Sequence, residues 1–565
     1  MTQVCPSAGI TLVDGGRLWH NRPSGVGMTQ LHVAVIETQS NQPYIFATNR
    51  QAAALGASQL LWDACSTWVH EATGAVKPTS REEYERELEK FIDESDDSAS
   101  VFIALSTSGR AVLLSRTTES LRSIIGTVTG RAIREAPGLG LAGGISHEPF
   151  DWHRNESSGC APFWTTMRNA QESLRRNWAA ATKPAERFLR LPPVRDCALS
   201  SLPASVRAAV VDGHEDRSSV VHAQIAARDG ARARITHVFG TTGGAESVDE
   251  ISGSWHAVFH ADSNGFGSLF SRMGDHLPTD NHGCLVNYRN ISTQLAQAAD
   301  NAARKAVEAV HEPGSAAKLW YPIVFGGDDL TVILASHVAV RFAVEYLLVY
   351  EQLATEALQD WRESLPENRR EGLPDGLSAS GGLAFAKPSF PFHASYDLAE
   401  DLIGSAKESY RPTSSGDRPA RSLLDLHVLY ESSDTSLAAI RDRRRSRNGE
   451  WRHGGPYLIG DQDGIELERL DAVTTLVDDV HARLLDESTD GPSPLAMLRE
   501  LREGFAVSDR KGADQLERLL TLYPDDGLLK KLRNQNLAQL GRILTDVIDL
   551  VVTTRPSRSP SKDEA

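Results

Sequence analysis

The sequence predicts an α+β fold, with a mainly antiparallel, ferredoxin-like sheet over residues 255–430 and a helical region after it. Three observations predict it. Residues 323–334, IVFGGDDLTVIL, are β-forming on both sides of a Gly-Gly-Asp-Asp turn, and paired glycines supply the positive φ angles of a tight hairpin. Around that hairpin the pattern runs strand, helix, hairpin, helix, strand, helix, strand. Beyond Tyr457 apolar residues recur at three- and four-residue steps.

Taken in order, the first strand occupies 255–261 and ends in Asp262, Ser263, Asn264 and Gly265. Helices are predicted over about 291–311 and about 338–363, on either side of the hairpin. Residues 378–386 (SASGGLAFA) form a buried strand. The helix at 396–407 carries the stripe Ala399, Leu402, Ile403 and Ala406, with Lys407 near its end. Residues 422–429 supply the last strand, and 366–376 and 411–419 are loops.

The chemistry follows from the acidic positions. A hairpin tip holds Asp328 and Asp329 side by side, where hard oxygen ligands suit Mg²⁺ shared with a substrate phosphate. Asp262 at the end of a neighbouring strand would face that pair across a metal site; the alternative is a turn cap. Gly265 allows backbone N–H groups to approach phosphate oxygens. Lys407 either reaches a triphosphate or complements its helix C-terminus. This is the layout of a palm-type nucleotidyltransferase, in which cations lower the pKa of the attacking hydroxyl and stabilise the leaving pyrophosphate.

At these residues the sequence resembles the large, polymerase-like subunit of type III CRISPR effector complexes and its stand-alone relatives. Further matching stretches are Glu37-Thr38, residues 42–50 (QPYIFATNR) and 56–61 (GASQLL), 131–139 (RAIREAPGL) and Leu202-Pro203-Ala204. The resemblance covers about residues 30–435. It implies two ferredoxin-like palm domains, the first degenerate and the second with the GGDD hairpin, plus a C-terminal helical domain. It also implies cyclic oligoadenylate synthesis from ATP in antiviral defence, with Mg²⁺ or Mn²⁺ on Asp262, Asp328 and Asp329. Ser263, Asn264, Gly265, Gly326, Gly327 and Lys407 would contact the nucleotide, although many relatives carry aspartate where this chain has Asn264. The first palm's hairpin, 101–115, turns through Ser106-Thr107-Ser108-Gly109 without an acidic pair, so its role is structural or ATP-binding. Guide or target RNA and small CRISPR effector subunits are the implied partners. A non-catalytic scaffold, or a nucleotide or dinucleotide cyclase of other base preference, are the alternative functions.

Two departures narrow the expectation. There is no His-Asp dipeptide and only about thirty residues precede the first palm, so a His-Asp nuclease domain is not expected. The five cysteines (Cys5, Cys65, Cys160, Cys197, Cys284) form no C-x-x-C pair, so no zinc is expected, and Cys197 is a small buried hydrophobe.

The expected organisation is a first palm at 1–160, a connecting, partly helical region at 161–250, and a second palm at 251–440. A helical domain at 441–554 and a disordered Ser/Pro/charge-rich tail at 555–565 follow. In the helical part, Ser493-Pro494 opens a helix to about Glu503, and one last long helix carries Leu529, Leu532, Leu540, Ile543, Val547 and Leu550. A net charge of −16 disfavours broad nucleic-acid binding. The exception is the arginine-rich segment 441–452, read as a solvated linker or an RNA or partner contact. No leader or membrane span is evident and cysteines are few, so a cytoplasmic enzyme that does not engage membranes is expected.

Overall fold

The chain is built around two sheets that share one strand order. The computed structural model describes residues 29–93, 100–156, 159–181, 187–188, 190–211, 213–240, 243–327, 329–410, 421–430, 436–449, 451–460, 468–485 and 492–555. Asp328, the expected loop at 411–419 and the tail beyond Arg555 lie outside them.

In the first sheet, β1 (Gln30–Gln39) leads through α1 (Asn41–Ile45), α2 (Gln51–Cys65), α3 (Thr67–Thr73) and α4 (Arg81–Asp93) to a hairpin. That hairpin is β2 (Val101–Thr107) and β3 (Arg110–Ser115), followed by α5 (Thr118–Glu135), β4 (Gly140–Ile145) and the short β5 (Phe150–Asp151). The order is β2-β3-β1-β4, antiparallel throughout, with β5 added to β1. Leu31, Val33, Val35 alternate with Ala34 and Ile36 along β1, and all are buried, so the strand is covered on both faces.

The connecting region does not stand apart. Helix α6 (Pro162–Ala180) packs on β1 and β4. After the hairpin β6 (Val206–Val210) and β7 (Gly213–Arg217), α7 (Ser219–Phe239) lies along α2. Gln224 on α7 donates to the Tyr44 carbonyl at 2.8 Å.

The second sheet starts with β8 (His256–Asn264), α8 (Phe266–Arg272) and the long α9 (Asn281–Val310). The acidic hairpin is β9 (Trp320–Gly326) and β10 (Asp329–Ala335), and α10 (Ser336–Ser364), β11 (Ser378–Ala386), α11 (Phe392–Tyr410) and β12 (Leu423–Val428) complete the unit. After α12 (Leu437–Arg443), β13 (Tyr457–Leu458) adds to the edge, giving the order β13-β12-β11-β8-β10-β9. Its four-strand core, β11-β8-β10-β9, repeats the first sheet's ferredoxin-like order. Helices α9 and α10 cover one face, where Phe259 meets Phe342 and Tyr346 edge-on, and α11 lies on the other. Helix α9 begins ten residues before the predicted 291, capped by Asp280 on the Gly283 N–H. Its first turns bury polar Asn281 together with Cys284, Leu285 and Tyr288, which blurs the apolar stripe.

The C-terminal part is helical as expected: α13 (Leu470–Leu485), α14 (Pro494–Val507), α15 (Asp509–Leu522), α16 (Gly527–Arg533) and α17 (Leu537–Thr553). The predicted last long helix is two helices, because Asn536 caps α17 through the Gln539 N–H at 3.1 Å. The arginine-rich segment is not simply a solvated linker: Arg443, Arg445 and Arg447 are exposed, but three of its arginines turn inward. Arg441 pairs with Asp425, Arg444 sits 2.7 Å from both Asp546 and Asp549, and Arg452 lies 2.6 Å from Asp509. Three buried aspartates on β12 and α17 demand opposite charge, and Arg441 and Arg444 turn inward to supply it, while Arg452 is buried against Asp509 of α15. Cys197 is buried and free, as expected. Among the described residues no helix is long and apolar enough to cross a membrane.

Candidate active site

The strand β8 alternates its side chains strictly. Phe259 and Ala261 enter the core beneath α9 and α10, while His260 and Asp262 face α11. Strand β10 runs antiparallel beside it, with Thr331 opposite His260 and Leu330 opposite Ala261. One further step of that register sets Asp329 opposite Asp262, and directly opposed side chains share a face with Cβ atoms about 5 Å apart. The Thr331 hydroxyl lies 3.0 Å from His260 on the α11 side, and alternation along β10 puts Asp329, two residues earlier, on the same face. Two expected site residues are therefore neighbours; Asp328, the third, lies outside the described residues.

Lys407 joins them. Its ammonium is ion-paired with the Asp262 carboxylate, and both side chains are about one-third exposed. Lys407 stands in the last turn of α11, so the helix positions it over the open end of the sheet.

The other expected residues divide. Ser263 faces α10, where its hydroxyl is 2.5 Å from that of Tyr350. Asn264 is on the face of Asp262, but its amide donates to Ser378 at 3.0 Å and accepts from Ser380 at 2.9 Å. Their side chains are spent inside the sheet, and only backbone remains for a ligand. Gly265 has φ 77° and precedes the first turn of α8. Gly327 has φ 71°, as a tight turn requires. Gly326 answers a different need: a Cβ there would stand 2.8 Å from the Ser108 hydroxyl, so the two hairpin tips touch.

The first sheet carries the corresponding positions in altered form. In its hairpin Arg110 pairs with Thr107, as Asp329 pairs with Gly326, and Arg110 lies opposite Glu37 on β1. Arg110 thus occupies the place of Asp329, and Glu37 that of Asp262. The two form an ion pair, with Tyr288 of α9 hydrogen-bonded to the same guanidinium. One acid is answered by a fixed cation, so these two positions together carry no net charge. Arg110 was legible as a basic residue after the turn; its register partner was not.

Sequence reasoning also missed a buried cluster beside the acids. His260 Nδ1 lies 3.0 Å from both the Leu330 carbonyl and the Thr331 hydroxyl, and Nε2 is 2.9 Å from Glu400 on α11. Burial alone lowers the imidazole pKa, but the bond and charge of Glu400, with Asp329, outweigh it and raise it. Glu400 is correspondingly lowered, chiefly by the His260 bond. A histidine two residues before a candidate ligand in an apolar strand was the available signal.

Two opposed carboxylates are a hard oxygen donor set, and the residues present fit a magnesium or manganese ion in kind. Among the described residues no group of three or more His, Cys, Asp or Glu side chains is gathered for a metal. A complete ligand set has to draw on Asp328 or on a substrate phosphate.

Residues 255–413 match the family model of the Cas10/Cmr2 second palm domain, and over this segment the chain is Cas10-like. No curated protein matches. Among solved structures, the chain is similar to Csm1 in T. onnurineus, at 12% identity over 93% of this chain and 70% of that one, with a TM-score of 0.45. A Csm1-Csm4 cassette in complex with cA4 gives 11%, 93%, 70% and 0.44, and one in complex with pppApApA gives 11%, 93%, 70% and 0.47.

Proposed function

We propose, from the premise that residues 255–413 are a Cas10-like second palm, that the chain is a nucleotidyltransferase making a cyclic oligoadenylate from ATP. The observation that carries this reading is the register that sets Asp329 opposite Asp262, with Lys407 in contact. The reaction joins a 3′-oxygen to the α-phosphorus of a second nucleotide, breaks the bond to pyrophosphate and releases the hydroxyl proton. A bound Mg²⁺ or Mn²⁺ would neutralise phosphate charge and ease that deprotonation. Asp262 and Asp329, with Asp328, would hold it. Lys407, once freed from Asp262, would take a phosphate oxygen. The first palm, whose hairpin tip abuts Gly326, would support the second nucleotide. Membership in an RNA-guided antiviral assembly with small effector subunits belongs to the same proposal.

Incubation with ATP and Mg²⁺ or Mn²⁺, with target RNA and partner subunits where required, is expected to yield pyrophosphate and a phosphatase-resistant oligonucleotide. Mass spectrometry fixes its base and ring size. Asp328→Ala with Asp329→Ala is expected to abolish the product. An unchanged yield from that variant would remove the metal assignment, and a silent wild type in the full assembly would leave a scaffold.

Lys407→Met separates the lysine's two contacts. Without nucleotide, Mn²⁺ affinity is expected to rise about two- to fivefold, the worth of a part-exposed ion pair. With nucleotide, KM for ATP is expected to rise about tenfold, because a charge-assisted bond to phosphate is lost. Titration calorimetry and steady-state kinetics read the two effects separately.

A further inference from the structure

We propose that His260 is a positioning residue, a brace that holds Asp329 against Asp262; the inference rests on the function proposed above. The ring is 4% exposed and lies between β8 and β10. Its nitrogens tie its own β8 to two further elements, Nδ1 to the Leu330 carbonyl and Thr331 hydroxyl of β10 and Nε2 to the Glu400 carboxylate of α11. Each of those elements carries one charged group of the site. Asp262 is two residues along β8, Asp329 immediately precedes Leu330, and Lys407 lies seven residues, about two turns, beyond Glu400 on the same helix.

An apolar side chain would pack this position without the cost of burying an imidazole. What the imidazole adds is direction. Two acids that repel one another across neighbouring strands tend to splay the hairpin tip, and a bond to the backbone just after Asp329 opposes that movement. The brace continues outward. Glu400 also accepts from the Tyr396 hydroxyl at 3.2 Å and from Gln42 at 3.4 Å, and Phe46 stacks on Tyr396 with ring centroids 3.7 Å apart. Gln42 and Phe46 belong to the first palm, so its docking bears on the acidic pair through Glu400 and His260.

The test compares the full-length wild type with His260→Gln, Glu400→Gln and the paired variant Asp262→Asn with Asp329→Asn. Mn²⁺ binding is followed by electron paramagnetic resonance without nucleotide, and kcat, KM and thermal midpoint are measured beside it. His260→Gln and Glu400→Gln are each expected to weaken Mn²⁺ binding by about tenfold or more, as loss of a ligand-orienting partner does. The same variants are expected to lower kcat while KM for ATP stays within about twofold. A satisfied core histidine with no such role would lower the thermal midpoint and leave Mn²⁺ affinity and kcat intact; that result overturns the brace. Should His260→Gln fail to fold, the half-exposed Glu400 decides the matter alone. If the wild type binds Mn²⁺ no better than the paired asparagine variant, the metal reading falls and takes the brace with it. If the wild type binds and Glu400→Gln binds equally, only the brace falls.

Discussion

Asp262→Asn is expected to reduce pyrophosphate release from ATP by about a thousandfold. The substitution keeps size and hydrogen-bonding capacity but removes one unit of negative charge from beside Asp329. Cation-mediated stabilisation of a phosphoryl transition state is worth several kcal/mol, and about 4 kcal/mol corresponds to that thousandfold loss. The fold should hardly notice. The carboxylate is part-exposed, its one described ion pair is with Lys407, and such pairs contribute at most about 1 kcal/mol. A thermal midpoint close to that of the wild type, alongside the lost activity, is therefore the expected pair of results. Retention of more than a tenth of the activity would mean that Asp262 does not serve the reaction.

The second large effect lies far from the chemistry. Arg444→Ala is expected to destabilise the protein by about 3–5 kcal/mol in denaturant unfolding, because it leaves two buried carboxylates without their cation. Asp546 and Asp549 sit one turn apart on α17 and share the Arg444 guanidinium. Tyr457 donates to Asp546 at 2.6 Å and Tyr430 to Asp549 at 3.0 Å, and two hydroxyls do not neutralise two charges. Burial already raises the Asp549 pKa, with the Arg444 charge opposing the rise. Without the arginine the folded-state pKa climbs further above its unfolded value. The folded chain then binds the proton more tightly, so stability is retained at low pH and lost as pH rises through that folded-state pKa. The deficit should accordingly shrink on acidification. Adding Asp546→Asn and Asp549→Asn to Arg444→Ala should recover most of it; no recovery would mean that the arginine acts through its aliphatic stem.

What the sequence reveals here is what has a period or a turn. Residues 378–386 were legible as a strand to the residue, and the acidic hairpin and α10 nearly so, because continuous β-forming runs and long apolar stripes are local signals. That Asp262 and Asp329 fall on adjacent strands was foreseeable if the hairpin and the 255–261 strand share a sheet; the register between them was not. His260 and Glu400 were not: 140 residues separate them, and an isolated histidine in an apolar run says nothing about its partner. The same holds for Arg444, which a run of like charges disguised as solvated surface when its counter-ions lay a hundred residues away on α17. Gly326 belongs to a third kind. Its position in the turn was plain, but the residue that makes it necessary, Ser108, comes from the other sheet.

The Glu37–Arg110 pair has a consequence for how two like halves work together. Identical units meeting tip to tip would confront one another with matching acidic mouths, and neither could be told from the other by an incoming anion. Here one mouth has been closed by a tethered cation of its own, so the joint acquires a polarity. On the function proposed above, a phosphate chain arriving between the halves would meet an ion-seeking side and an ion-sated side. The difference in role between two bound nucleotides would then be written into the covalent chain, before any ligand arrives.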